Sequence, residues 1–177
     1  MDWPAPFKCC YHCGSGAISR IRPTAFICAD CRRHLFINPV SAVAGILIDP
    51  QDRVLLIKRA KEPAKGKLSL PGGFLDPGET AEEGLQREVR EETGLETGEL
   101  DYLCARPNRY SYEETEYMVL DLFFVGRLES FAGAKALDEV DAVIEMPVAE
   151  IDLETIAFPS VREALRLFRD DLEKWNS

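Results

Sequence analysis

Apolar residues between positions 81 and 93 recur every four residues, with charged residues at most of the positions between them. On a helix this spacing places the apolar side chains on one stripe. Thr80 and Glu83 have the spacing of a capping box, which starts a helix, and Gly94 supplies the left-handed residue that ends one. The pattern therefore predicts a helix between Thr80 and Gly94. Its apolar stripe consists of Ala81, Leu85 and Val89.

Apolar runs rich in β-branched and aromatic residues predict strands elsewhere in the chain. The strongest is the run 117–125, and a second helix with a broad apolar stripe is predicted over 159–175. Strands around one buried helix, followed by a terminal helix, predict an α/β (α+β) fold in which a mixed sheet lies between helices. The other predicted strands are 100–105 and 142–147.

Three glutamates share one side of the first predicted helix. Glu88, Glu91 and Glu92 stand at positions i, i+3 and i+4, and two of them, Glu88 and Glu92, border the apolar stripe. Carboxylates crowded against apolar surface lose hydration and repel one another unless cations compensate. Mg²⁺ prefers a few carboxylate oxygens and keeps its other positions for water and phosphate. This side of the helix is therefore predicted to bind a divalent cation rather than to form a solvated acidic surface.

The charge of the chain supports a metal-first order of binding. Its 21 Lys and Arg residues stand against 31 Asp and Glu residues, for a formal net charge of -10. An acidic site attracts a phosphate only after bound cations reverse the local field.

The 177 residues, 46% of them hydrophobic, suffice for one core and a small additional unit. Because no apolar run is long enough to span a bilayer, no membrane partner is expected.

A second metal site is predicted near the amino terminus, where two Cys-x2-Cys pairs occur. Cys10 with Cys13, and Cys28 with Cys31, have the spacing of a tetrahedral Cys₄ zinc site, which is structural because four thiolates leave no position for water. Cys9 is the alternative to Cys10, although the x2 spacing favours Cys10. Two disulfides are the competing interpretation. The opening residues lack the basic start and apolar core of a signal peptide, which favours reduced thiols and a cytoplasmic location.

The segment around these cysteines is only weakly basic. Residues 1–39 hold five Lys and Arg against two Asp and Glu. A Cys₄ zinc centre adds about two negative charges, so the segment lacks the strongly basic footprint of a nucleic-acid-binding domain. Nucleic acid is therefore not expected as a partner. We expect the segment to act as a scaffold or as a lid at a substrate cleft.

The run from Gly73 to Leu95 reads Gly-x5-Glu-x7-Arg-Glu-Val-x-Glu-Glu-x-Gly-Leu. It resembles the complete Nudix box, with no position departing from the pattern. The resemblance extends upstream, where 42–48 and 53–59 resemble the two strands, and 65–73 the loop, that lead into the box. Leu68 stands where many relatives carry Trp. The resemblance implies a Nudix domain over 39–177, folded as an α/β/α sandwich with a mixed sheet, and the cysteine pairs before it predict a zinc ribbon over residues 1–38.

What the Nudix resemblance implies is a hydrolase that uses Mg²⁺ or Mn²⁺. Water would attack a phosphorus of the pyrophosphate in a nucleoside diphosphate linked to a moiety X. The implied metal ligands are Glu88, Glu91, Glu92 and the carbonyl of Gly73. Glu79 and Arg87 are implied to orient the loop and the helix through an ion pair, with Arg87 counted in the catalytic set and Gly94 closing the box.

The identity of the general base is left open between two carboxylates. Glu91 belongs to the helix. Glu139 precedes the predicted strand 142–147, at a position that resembles the late carboxylate of several Nudix relatives. A base must lie within hydrogen-bond reach of the attacking water, so geometry decides between them.

Substrate selectivity is expected in the segment 106–116. Tyr110 and Tyr112 can stack on a base or ribose, and Arg106 and Arg109 can bind phosphates or the X group. Arg59, at the end of a predicted strand, is a further candidate for phosphate contact. The alternative is an ordinary polar loop between strands.

A zinc ribbon in front of a Nudix domain resembles the NADH pyrophosphatase branch of the family. That branch carries a downstream run with Ser-Gln-Pro-Trp-Pro-Phe-Pro, whereas residues 104–112 read Cys-Ala-Arg-Pro-Asn-Arg-Tyr-Ser-Tyr. NADH is therefore not singled out among ADP-ribose, dinucleotides and dinucleoside polyphosphates. A non-catalytic nucleotide sensor with a nucleic-acid- or protein-binding ribbon is the alternative function, but the intact carboxylate set favours the hydrolase. Relatives are often dimers, so a homodimer stays open.

Overall fold

The computed structural model describes residues 7–112 and 115–175. The chain divides into two compact units, Met1–Pro39 and Val40–Ser177. Within the described residues, no helix is both long enough and apolar enough to cross a membrane.

The smaller unit is a three-stranded antiparallel sheet with its own apolar core. Its strands are β1 (Ile18–Arg22), β2 (Ala25–Cys28) and β3 (His34–Phe36), in that spatial order. Gly14 and Arg32, each directly after one Cys-x2-Cys pair, both have left-handed backbones with φ of 74° and 62°. The two pairs are therefore built on the same type of turn. The buried core residues are Cys10, Phe26, Cys28 and Leu35.

The larger unit is built on a six-stranded mixed sheet. The spatial order is β6-β5-β4-β8-β7, and β9 pairs with β5. β4 and β8 are parallel, and the other pairs are antiparallel. The strands are β4 (Val40–Ile48), β5 (Arg53–Arg59), β6 (Leu68–Ser69), β7 (Leu100–Tyr112), β8 (Thr115–Arg127) and β9 (Val140–Pro147); the helices are α1 (Ala81–Thr93), α2 (Pro159–Asp170) and α3 (Leu172–Trp175).

The two faces of this sheet carry different helices. Leu85 and Val89 of α1 pack with Val43 and Phe124 on one face. On the other face, α2 packs against residues that include Phe123. Successive residues of β8 therefore point to opposite helices. The predicted mixed sheet between helices is confirmed.

An opening in the sheet creates the cleft of this unit. β4 and β5 form a ladder pair only at Ile48 and Val54, and the two strands part beyond that point. Beyond it, the N–H groups of Val43 and Gly45 on β4 donate instead to the carbonyls of Gly73 and Pro71. The loop before α1 thus takes the place of a neighbouring strand.

Two predicted boundaries were wrong. The predicted strand 100–105 continues to Tyr112 as β7, whose ladder with β8 ends at the pair Tyr112 and Thr115, so the segment 106–112 is not the polar loop considered as the alternative. The predicted helix 159–175 is divided at Asp171 into α2 and α3.

Candidate functional site

Helix α1 begins and ends where the sequence predicted. Thr80 Oγ1 accepts the backbone N–H of Glu83 at 3.2 Å, and the Glu83 carboxylate accepts the backbone N–H of Thr80 at 2.8 Å. Gly94 has a φ of 72°, and its N–H donates to the carbonyl of Arg90. These local bonds, together with the buried apolar stripe, fix which side of the helix faces the cleft.

The three predicted metal-binding glutamates all line the cleft but differ in burial. Glu92 Oε2 accepts the backbone N–H of Gly72 at 2.9 Å. Burial, with repulsion from Glu88 and Glu139, raises the pKa of Glu92 to about 8. Burial also raises the pKa of Glu88, whereas the side chain of Glu91 is half exposed. The innermost carboxylate is therefore the one that holds its proton most strongly.

Arg87 connects the loop to the helix through one guanidinium. It donates to both carboxylate oxygens of Glu79, at 2.7 and 3.2 Å, which confirms the predicted ion pair. It also donates to Glu88 at 2.9 Å, to Glu91 at 3.1 Å and to the carbonyl of Phe74 at 3.0 Å. The bond to Arg87 lowers the pKa of Glu79. Arg87 thus orients two of the three predicted metal-binding carboxylates.

Two adjacent glycines bring the loop backbone against the carboxylates. Gly72 has a φ of 144°, and a Cβ there would lie 2.1 Å from the carbonyl oxygen of Val43. A Cβ on Gly73 would lie 2.4 Å from Oε1 of Glu88. The Gly73 carbonyl accepts the N–H of Val43 at 2.9 Å, which leaves a second lone pair for a ligand. Its predicted role as a metal ligand stays a prediction.

The donor set fits a hard divalent cation. The Glu92 carboxylate lies against the loop backbone, where it accepts the N–H of Gly72. When this buried group is ionised, its negative charge is stabilised by a nearby cation. The oxygens of Glu88 and Glu91 are bonded to Arg87 in this structure. In the part of the chain that the structure describes, the only group of potential metal ligands whose ligand atoms all lie within 4.8 Å of one another is that of the four cysteines. The carboxylate oxygens of the three glutamates are therefore farther apart than the sulfur atoms.

An aromatic and cationic wall lines the cleft, whose volume is about 400 Å³. The ring of Tyr110 contacts Phe74 and Phe158, with centroids 5.4 and 5.7 Å apart. The Arg59 guanidinium lies 5.1 Å from the centre of the Phe158 ring and donates to Tyr110 Oη at 3.4 Å. Arg59 and Tyr110 therefore both line the cleft, and their contact with a substrate stays a prediction.

Both candidate general bases line the same cleft. Glu139 has a left-handed backbone, with a φ of 54°, and its carboxylate pairs with Lys61 at 2.6 Å. Glu91 is bonded to Arg87. The choice between Glu139 and Glu91 thus stays open.

Arg106 and Arg109 do not belong to the residues that line the cleft. Arg106 forms an ion pair with Glu163 at 3.1 Å, and Arg109 forms one with Glu116 at 3.3 Å. Strand alternation accounts for Arg109, which points away from the face that carries Asn108 and Tyr110. Arg106 lies on the same face as those two residues, but its guanidinium is engaged by Glu163 of α2. The side chain of Tyr112 lies outside the described part of the structure.

Sequence reasoning missed several residues of the cleft. One is Asp121, a buried carboxylate inside the apolar run that predicted the strongest strand. An acid in such a run is itself a signal, because an unpaired buried charge is unfavourable. The remaining missed positions carry no local signal. The missed cleft residues include Lys61, Phe74, Asn108, Asp121 and Phe158.

The four predicted zinc ligands lie together in the smaller unit. The Sγ atoms of Cys10 and Cys31 are 3.7 Å apart, and those of Cys13 and Cys28 are 3.6 Å apart. The hydrogen bond from the backbone N–H of Cys31 lowers the pKa of Cys28 to about 7. Cys9 is exposed and outside the cluster, so the structure favours Cys10 as the ligand. All six cysteines are free, which contradicts the disulfide alternative.

Comparisons with known proteins agree with this architecture. An ADP-ribose pyrophosphatase of Methanocaldococcus jannaschii is 52% identical over 67 residues, which cover 37% of this chain and 39% of that protein. An NAD-capped RNA hydrolase of Schizosaccharomyces pombe is 26% identical over 180 residues, covering 94% of this chain and 43% of that protein. The chain thus spans less than half the length of either relative.

A solved structure matches nearly the whole chain. The crystal structure of a NUDIX hydrolase from Nitrosomonas europaea superimposes with a TM-score of 0.72 at 27% identity, covering 95% of this chain and 93% of that one. The family model described as the NUDIX domain matches residues 38–168. The chain therefore belongs to the NUDIX domain family.

Proposed function

We propose that this chain is a Mg²⁺- or Mn²⁺-dependent hydrolase that cleaves the pyrophosphate of a nucleoside diphosphate linked to another group. The observation that carries the proposal is one cleft lined by three helical carboxylates, with aromatic rings and Arg59 in its walls. Carboxylates alone repel phosphate. A cleft that combines three carboxylates with groups suited to a nucleotide can therefore bind that substrate only when cations lie between the carboxylates and the phosphates.

The bound cations would supply charge neutralisation at the pyrophosphate and a lowered pKa for water. Glu88, Glu91 and Glu92 would hold them, and Arg87 would keep the helix and the loop in register. Arg59 would receive phosphate oxygens, since its guanidinium is fixed over the Phe158 ring and presents several N–H donors.

The proton of the attacking water would pass to Glu91 or to Glu139. Substitution by Gln distinguishes them, because the amide keeps the shape but accepts no proton. Replacement of the true base should lower kcat by about 10²-fold or more, and replacement of the other glutamate should lower it much less. Measuring both variants with saturating Mg²⁺ separates proton transfer from metal affinity.

The four thiols of the smaller unit would bind one structural Zn²⁺. Tetrahedral zinc with Zn–S bonds of about 2.3 Å requires sulfur atoms about 3.8 Å apart, close to the observed 3.6 and 3.7 Å.

The relatives that act on ADP-ribose and on NAD-capped RNA suggest a nucleotide substrate.

The decisive experiment is a substrate panel with ADP-ribose, NADH, dinucleoside polyphosphates and sugar nucleotides, each with Mg²⁺ and with Mn²⁺. We expect metal-dependent release of nucleoside monophosphate from at least one member, and its loss in Glu92→Gln. Glu82→Gln, an exposed glutamate of the same helix, is the matched control. Nucleotide binding without turnover across the panel would instead identify a sensor.

A further inference from the structure

Asp121 is a buried carboxylate in the cleft that the proposed hydrolysis does not use. It lies on β8 and is 8% exposed. Its neighbours at alternate positions on the strand, Val119 and Phe123, are apolar and line the cleft with it. Burial of a carboxylate in such surroundings is unfavourable unless hydrogen bonds compensate, so its presence calls for a specific partner.

Two protein groups hold the Asp121 side chain in place. Ser160, in the first turn of α2, donates its hydroxyl to Oδ2 at 2.5 Å. A side-chain hydrogen bond from Asn108 on β7 is the other contact, and burial raises the pKa of Asp121. A carboxylate offers about four acceptor positions, and two donors fill half of them. Acceptor capacity thus remains on a fixed carboxylate that borders the cleft.

The distance between Asp121 and the glycine loop suits a nucleoside. On β4, Ala42 is the ladder partner of Asp121, and it forms an isolated bridge with Phe74 on its other edge. Neighbouring strands are about 4.8 Å apart, so the loop backbone and the backbone of Asp121 are separated by roughly two such spacings, or about 10 Å. Asp121 therefore lies within the reach of a nucleoside whose diphosphate is held near the glycine loop.

The walls near Asp121 select a flat group over a sugar. Phe158, Phe123 and Val161 line this part of the cleft and offer apolar contact. A hydroxyl-rich group would leave donors and acceptors unpaired against them. A nucleobase presents an apolar ring face and a polar edge, which matches these walls and one acceptor.

We propose that Asp121, fixed by Ser160 and Asn108, accepts a hydrogen bond from the exocyclic amino group of the substrate's nucleobase and so makes the cleft selective for amino-bearing bases. The proposal rests on the proposed function for the orientation of the nucleotide. It adds a specificity residue that touches the substrate on the side away from the metal-binding helix.

The test compares ADP with purine riboside 5′-diphosphate, which has hydrogen in place of the amino group. Binding constants of both are measured by calorimetry in the presence of Mg²⁺. For the wild-type protein we expect ADP to bind about tenfold or more tightly, because the analogue leaves the carboxylate unpaired. In Asp121→Leu, which removes the acceptor, the two ligands should bind within about twofold of each other.

Two further variants keep the result interpretable. Asp121→Asn keeps the shape and weakens the acceptor, so it should give an intermediate ratio even if Asp121→Leu fails to fold. Asp101→Leu removes an exposed acid from β7 and should keep the wild-type ratio. Equal binding of both ligands by the wild type, unchanged discrimination in both Asp121 variants, or no binding of either ligand would overturn the proposal.

Hydrolysis of the whole substrate panel, ADP-ribose included, is measured in parallel with the same proteins. Base discrimination that depends on Asp121 without any turnover would leave this inference standing and would refute the hydrolase. Metal-dependent turnover with no role for Asp121 in discrimination would do the reverse. The two proposals therefore fail separately.

Discussion

Substitution of Glu92 by Gln should stabilise the metal-free protein at high pH while it abolishes hydrolysis. Burial raises the pKa of Glu92 from 4.5 to about 8. The unfolded chain therefore loses this proton more readily than the folded protein does. Wild-type stability decreases as the pH rises from about 4.5 to about 8, and the loss is complete above both pKa values. Gln carries no proton to lose and avoids this loss.

The size of the effect follows from the two pKa values. They differ by about 3.5, which corresponds to about 5 kcal/mol at about 1.36 kcal/mol for each pKa unit. Because the carboxylate borders the water of the cleft, solvent screening reduces this value, and we expect roughly 2–4 kcal/mol. The Gln side chain keeps an oxygen that can accept the N–H of Gly72, so the loop contact is retained.

Urea unfolding in Mg²⁺-free buffer at about pH 5 and about pH 9 measures this difference. The Glu92→Gln protein should exceed the wild type by roughly 2–4 kcal/mol at the higher pH and by less than about 1 kcal/mol at the lower pH. Glu82→Gln, which removes an exposed charge from the same helix, should not reproduce the pH-dependent gain. Equal changes in stability with pH in wild type and Glu92→Gln would refute the reasoning.

Three further predictions test the loop, the ion-pair network and the cysteine cluster. Gly72→Ala places a Cβ 2.1 Å from the Val43 carbonyl oxygen and should lower the free energy of unfolding by roughly 2–4 kcal/mol, as measured in urea. Arg87→Lys loses the two-pronged bond to Glu79 and should reduce Tm and kcat together, whereas unchanged values would contradict the network. Cys28→Ser should reduce bound zinc from about one per chain to near zero by mass spectrometry.

Much of the α1 region could be predicted because its signals are local. The capping pair Thr80 and Glu83, the stop at Gly94 and the carboxylate spacing all lie within one short segment. The cysteine cluster was predictable for a related reason, since each pair has a spacing that a single turn imposes. These features can be recognised in the sequence because they depend only on residues close together in the chain and not on contacts with distant residues.

The opposite wall of the cleft could not be predicted in this way. It depends on the parallel pairing of β4 with β8, strands separated by about 70 residues, and on the pairing of β7 with β8. A register shift between Tyr102 and Cys104 also changes which β7 side chains face the cleft. The segment 106–112 contains Pro, Asn, Ser and Arg and resembles a loop, yet its long ladder with β8 outweighs that local preference.

The two candidate metal sites differ in how far the protein prepares them. Two of the sulfur–sulfur separations, 3.7 and 3.6 Å, already match those of a tetrahedral zinc ion, and all four sulfur atoms lie within 4.8 Å of one another, so little rearrangement opposes binding. The glutamates are different, because Arg87 engages Glu88 and Glu91 while Glu92 favours its proton. Binding of a divalent cation there must displace a proton and compete with Arg87 for oxygens. Cation affinity at the glutamates should therefore rise with pH and be much weaker than zinc affinity at the thiols, which suits a site completed only when substrate phosphates add their oxygens.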